Sequence, residues 1–209
     1  MWLPRNRCLW PDRPWRRTKR RVPSLQFSKP RHIRNLLVAY VPGFLQYATA
    51  RLHVDSVLSQ TNTIRKQIEL AAPVSRVWRA LTDCREFGEW FRVKLDGPFT
   101  AGDVSRGRIT WPGHEHVVWE AGAQRIEPES LFSFKWHPDS VDPGIDYSPE
   151  TPTLVEFWLE ATATGTLLVV TESGFEEVPE ARRAEAFLRN DGGWTQQMKN
   201  IEDYVAQHP

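Results

Sequence analysis

The sequence predicts an α+β fold of the helix-grip kind. One curved antiparallel sheet of about six to seven strands wraps on a long C-terminal helix, with two short helices after the first strand. Three observations carry this. Short alternating segments separated by turn residues recur between Thr63 and Ser173. Strands and helices do not alternate along the chain, as a parallel sheet would require. The closing stretch, Pro179 to His208, places Ala184, Phe187, Trp194, Met198, Ile201 and Val205 at gaps that fit one helical face. Arg183, Glu185, Gln196, Lys199 and Asp203 lie opposite, where water solvates them.

The elements follow in order. Thr63 to Leu70 sets Ile64, Ile68 and Leu70 against Arg65, Lys66 and Glu69 and reads as the first strand. Pro73 suits the first turn of a helix, and Val74, Val77, Trp78 and Leu81 have helical spacing. Asp83 is placed to cap a second short helix carrying Phe87, Trp90 and Phe91, ended by Asp96-Gly97-Pro98. A strand from Gly102 to Trp111 turns at Pro112-Gly113 into a partner from His116 to Ile126. Leu131 to His137 puts Phe132, Phe134 and Trp136 on one side and Ser133, Lys135 and His137 on the other. The loop Pro138 to Pro152 holds four Pro and one Gly, a length often tied to function. Leu154 to Thr162 and Thr166 to Ser173 make the last hairpin. Gly192-Gly193 costs about 2 kcal/mol in a helix interior. The main helix is therefore expected to start near Asp191, with Asn190 or Asp191 as its cap. A bent sheet gripping such a helix leaves a wedge-shaped space between them.

Charge divides the chain. Residues 1–60 carry 12 Lys and Arg against 2 Asp and Glu, whereas the remainder carries 15 against 24. The net charge of +1 thus hides a basic arm joined to an acidic domain spanning residues 61–209. Pro4, Pro11, Pro14, Pro23 and Pro30 deny the arm helix or central strand. The cluster Arg16, Arg17, Lys19, Arg20 and Arg21, with Trp2, Trp10 and Trp15 nearby, is the one feature of residues 1–35 that would suit nucleic acid. The arm has no periodic pattern, so a disordered or loosely attached tail is the expectation. Cys8 and Cys84 have no metal spacing and read as two free thiols of a cytoplasmic protein. No run approaches the length of a membrane span or a secretory leader core.

Within residues 61–206 a set of short motifs stands in a telling order. They are Ala72-Pro73-Val74-Ser75-Arg76-Val77-Trp78-Arg79-Ala80-Leu81-Thr82-Asp83, then Phe87-Gly88-Glu89-Trp90-Phe91 and Ile126-Glu127-Pro128. Phe134-Lys135-Trp136, Gly165-Thr166-Leu167-Leu168, Thr171-Glu172-Ser173-Gly174-Phe175 and Gly192-Gly193-Trp194 complete the set. This resembles the START/SRPBCC helix-grip superfamily, in the branch named after the activator of the Hsp-ninety chaperone ATPase. The resemblance implies a cavity between sheet and helix for a hydrophobic or aromatic small molecule, with no cofactor. Members range from lipid carriers to cyclases. The activator itself has a further N-terminal domain with no counterpart here, so a co-chaperone role is the weaker expectation. A homodimer is compatible with the reading.

Candidate residues follow from that cavity. Leu168, Val170 and Glu172 share one face of their strand, so Glu172 is the carboxylate to expect inside. There it would bind a ligand's donor or serve as an acid or base on an aromatic, polyketide-like substrate. Trp136 and Phe134 would form a stacking wall, joined by Trp90, Trp111, Phe157, Trp194 and Met198. Other signals are weaker. His114-Glu115-His116 would need His137 to complete a metal site, so no metal is expected. Ser173 lacks the nucleophile-elbow context, and Gly192-Gly193 lacks a preceding strand and phosphate loop. Asp146-Tyr147 is a candidate gate at the cavity mouth. An exposed apolar patch in place of a pocket would point to a chaperone-binding module.

Overall fold

A computed structural model describes residues 62–209. The basic arm, Cys8 and the nucleic-acid candidate lie outside the described residues. Strand β1 (Thr63–Leu70) leads to helices α1 (Val74–Thr82) and α2 (Cys84–Phe91). Strands β2 (Val93–Leu95), β3 (Val104–Ile109), β4 (Val118–Glu127), β5 (Leu131–Trp136), β6 (Thr153–Ala161) and β7 (Thr166–Ser173) follow. A single 3-10 turn, Phe175–Glu177, precedes α3 (Glu180–Gln207). The sheet order is β1-β7-β6-β5-β4-β3-β2, antiparallel throughout. The α+β helix-grip expectation therefore holds, with seven strands.

Local chemistry explains most of the boundaries. Asp83 Oδ1 accepts from the backbone N–H of Arg85 at 2.9 Å and Glu86 at 3.1 Å, the capping its position predicts. Arg92 closes α2 in the left-handed region with φ 67°. Strand β2 was not legible, because three residues are too short for a period to register. Only the tertiary pairing of Val93 with Ile109 and Leu95 with Gly107 defines it. Gly107 is required there: a Cβ on it would sit 2.5 Å from the Lys94 carbonyl oxygen. Between Ala123 and Ile126 the β4–β5 register shifts, and such a bulge helps the sheet to bend.

The concave face of the sheet, α1, α2 and α3 share one core. Phe87, Phe132, Phe134, Phe157, Leu168 and Ile201 are among its fully buried members. Arg76 of α1 is buried and ties two helices together. Its Nη1 meets Glu86 at 2.7 Å, its Nε donates to the His208 carbonyl, and its guanidinium lies 5.4 Å from the Tyr204 ring centre. That bond satisfies a carbonyl at the C-terminal end of α3.

Two expectations are corrected. The helix does not begin near Asp191: α3 runs unbroken through Gly192-Gly193. Helix propensity loses here to tertiary bonds made by Asp191, Asn190 and Trp194 on either side of the glycines. Its buried face is Ala186, Asn190, Trp194, Met198, Ile201 and Val205, while Ala184 is exposed. Second, Cys84 is disulfide-bonded and is not the free thiol the sequence led us to expect. The thiol argument for a reducing compartment loses its support at that residue. Among the described residues no helix is long and apolar enough to cross a membrane.

Candidate functional site

One end of the gap between sheet and α3 is open. A cavity of about 310 Å³ lies between strands β3 and β4, the start of the loop after β5, and the middle of α3. Its deep wall is aromatic: Phe91, Trp119, Trp136 and Trp194. Their ring centres lie within stacking range, with Trp136 to Trp194 at 5.8 Å and Phe91 to Trp119 at 5.9 Å. Trp111, Val118 and Val141 form a partly exposed apolar rim at the mouth. His114, His137, Asp139, Arg189, Asn190 and Gln197 supply the polar edge. Gly193 also borders the space, and a Cβ built on it meets nothing within 4 Å.

Behind the aromatic wall sits Glu172, 0 % exposed. Its register opposite Val155 on β6 turns it inward with Leu168 and Val170. Four side chains converge on its two oxygens. Oε1 accepts from Trp136 Nε1 at 2.8 Å, Thr153 Oγ1 at 2.7 Å and Asn190 Nδ2 at 2.9 Å. Oε2 accepts from Trp194 Nε1 at 2.6 Å and Asn190 Nδ2 at 3.0 Å. The indole and amide nitrogens only donate, so the carboxylate acts as an acceptor at both oxygens. Both indoles it holds belong to the cavity wall. Glu172 therefore sets the orientation of the wall without itself reaching the cavity.

The loop Pro138 to Pro152 is pinned to α3. The Arg182 guanidinium clasps the Glu150 carboxylate, with Nε 3.0 Å from each oxygen, and its Nη1 donates to the Pro138 carbonyl at 3.0 Å. It also lies 4.8 Å from the Tyr147 ring centre. Tyr147 thus faces Arg182, Asp146 is exposed and accepts from the Ser148 N–H at 3.0 Å, and neither lines the cavity. The loop residues that do are Asp139, Ser140 and Val141. Asp139 adopts φ 51° and lies 3.5 Å from Arg189. Burial raises its carboxyl above the ordinary aspartate value, and Arg189 opposes that rise only in part.

The ten expected site residues therefore divide. Trp111, Trp136 and Trp194 line the cavity. Glu172 lies one bond behind it. Trp90, Phe134, Phe157, Leu168, Val170 and Met198 are buried in the core that backs the wall and do not border the space. Trp90 donates to the Ala80 carbonyl at 2.8 Å and meets Phe87 edge-on. Trp119 was missed, although its alternation with Ala121 and Ala123 along β4 would have flagged it. Asn190, Asp139 and Arg189 carried no signal, because only the fold brings their segments together. His114 and His116 stack at 6.4 Å, and His137 Nε2 bonds the Glu150 carbonyl at 3.1 Å. No group of three or more His, Cys, Asp or Glu able to hold a metal ion occurs among the described residues.

Comparison with known proteins agrees with this architecture. Protein MLL2253 from Mesorhizobium loti is 25% identical, with a TM-score of 0.56 over 70% of this chain and 98% of its own. DynU16, from the dynemicin biosynthetic locus, is 23% identical with a TM-score of 0.54; the match covers 69% of this chain and 47% of DynU16. The Aha1 dimer from Colwellia psychrerythraea is 16% identical, with a TM-score of 0.53 over 68% of this chain and 95% of its own. The last two likenesses concern fold alone. No curated protein matches the chain. A model of the family described as "Activator of Hsp90 ATPase homolog 1-like protein" matches residues 71–206, and the chain belongs to that family, a branch of the START/SRPBCC superfamily.

Proposed function

We propose that this domain binds a hydrophobic or aromatic small molecule in the cavity beside α3. The observation that carries the reading is a concave space with Phe91, Trp119, Trp136 and Trp194 on its deep wall, the buried Asn190 beside them and the other polar groups toward its edge. Such a surface rewards a flat apolar ligand through burial and ring stacking. In this proposal Trp111, Trp136 and Trp194 touch the ligand. Trp90, Phe134, Phe157, Leu168, Val170 and Met198 hold that wall from behind, and Glu172 positions two of its indoles.

An acid–base role for Glu172 is the second reading, and its geometry disfavours it. The carboxylate's five hydrogen bonds occupy both oxygens, so proton transfer would require a partner to leave first. Binding without turnover follows more simply. The apolar rim of Trp111, Val118 and Val141 is continuous with the cavity, so we assign it to ligand entry before partner docking.

Gly193→Leu tests the site. The new side chain has open space to enter and would occupy the cavity. Titration of naphthalene, followed by quenching of the wall tryptophans, should show affinity falling about tenfold or more, with the thermal midpoint held. Unchanged affinity in a folded Gly193→Leu chain would place the ligand elsewhere.

A further inference from the structure

The hydrogen bonds behind the wall determine what the wall can offer a ligand, and this inference rests on the cavity being a small-molecule site. Glu172 already accepts from two indoles and a hydroxyl, so the amide of Asn190 faces an acceptor. Asn190 must therefore present Nδ2, which it does at 2.9 Å and 3.0 Å to the two oxygens. That turns Oδ1 away from the carboxylate. Asn190 is 9 % exposed and borders the cavity.

The donors deepest in the same wall are already committed. Trp136 and Trp194 give their N–H groups to Glu172, and Gln197 gives its amide N–H to the Phe91 carbonyl at 3.0 Å. Arg189, at the edge, faces Glu185 and Asp139. Trp119 Nε1 has no partner, but it is buried beneath the wall surface. His137 Nε2 is likewise committed, donating to the Glu150 carbonyl at 3.1 Å. The wall is thus apolar over most of its area: Trp136, Trp194 and Gln197 have spent their N–H groups, Trp119 Nε1 is unpaired but buried, and Asn190 Oδ1 is an acceptor at the cavity.

We propose that the ligand is an aromatic molecule bearing a hydrogen-bond donor, a hydroxyl or an N–H, and that Asn190 Oδ1 receives it. A ligand without a donor strips water from Oδ1 and puts nothing in its place, the situation in which polar sites discriminate most strongly.

Three probes on the full chain test this by calorimetry: 2-naphthol, 2-methoxynaphthalene and naphthalene. The ether is more apolar than the naphthol, so burial alone ranks it higher. We expect the naphthol to bind about tenfold or more tightly than the ether. We expect Asn190→Leu to erase that gap. Equal or reversed ranking overturns the donor requirement while leaving the cavity intact. A gap that persists in folded Asn190→Leu overturns the assignment to Asn190. If none of the three binds, the cavity reading fails and this inference fails with it. Should Asn190→Leu not fold, the ranking on the native chain still decides the donor requirement. Gly193→Leu, which leaves Asn190 in place, should then weaken the naphthol and the ether alike if both occupy the cavity; unequal loss counts against a shared site.

Discussion

Glu172 is a charge-bearing residue placed where charge is costly, and its partners show how the cost is met. Two indoles, a hydroxyl and an amide replace the water it gave up. Glu172→Gln keeps the shape but turns an NH₂ toward groups that only donate. At least one buried donor then goes unmet, and urea denaturation should show a loss of about 2 to 4 kcal/mol. The emission of Trp136 and Trp194 should shift in the same variant. Asp139 shows the opposite arrangement, a carboxyl pushed up by burial with a weak 3.5 Å contact to Arg189. Its folded form holds the proton more tightly than the unfolded chain. Its contribution to stability is therefore complete below the ordinary aspartate value and is lost as pH rises through the raised one. Asp139→Asn tolerates the same φ of 51° and removes that titration. The variant should gain stability relative to the parent between about pH 3 and about pH 7, read by denaturation at both. An unchanged difference would remove Asp139 as the source.

Among the elements, α3 departs furthest from its local preference. It carries two adjacent glycines at its middle and remains one helix of 28 residues. Asn190 and Trp194 bind Glu172, and Lys66 of β1 pairs with Asp191 at 2.7 Å, so the turn holding the glycines is anchored on both sides. Gly192 is exposed with open space around it and does not line the cavity. Gly192→Ala should therefore raise stability by about 1 kcal/mol through helix propensity, without altering ligand affinity. No gain on thermal denaturation would mean that the helix is broken there after all. Gly193 differs because its missing side chain is part of the cavity. The propensity cost at that position goes with open volume beside the helix.

Across the molecule, the division of labour follows sheet position. The β5–β6–β7 centre of the sheet supplies the packed core and Glu172, while the β3–β4 end and the β5–β6 loop supply the opening. Arg76 holds the C-terminal end of α3 and Arg182, near its N-terminal end, clamps the β5–β6 loop, so buried or half-buried guanidinium groups brace both ends of the helix. The fold was largely legible from alternation and helical spacing. β1, both short helices, Asp83 as a cap, the last hairpin and the inward face of Leu168, Val170 and Glu172 follow from periods of 2 and 3.6, which are local properties of the chain. The sequence alone thus determined the α+β architecture, the family resemblance and the acid to watch. Tertiary structure decided the rest, because those features depend on which distant segments meet. It joined the helix across two glycines, paired a three-residue strand, engaged Cys84 in a disulfide and bound Asn190 to a carboxylate 18 positions away. It also placed the open volume at the Trp111, Trp136 and Trp194 end of the wall and filled the Leu168 and Met198 end. Side-chain periodicity reports which face is inward, but where that face is packed and where it is left empty depends on the volumes of partners far along the chain.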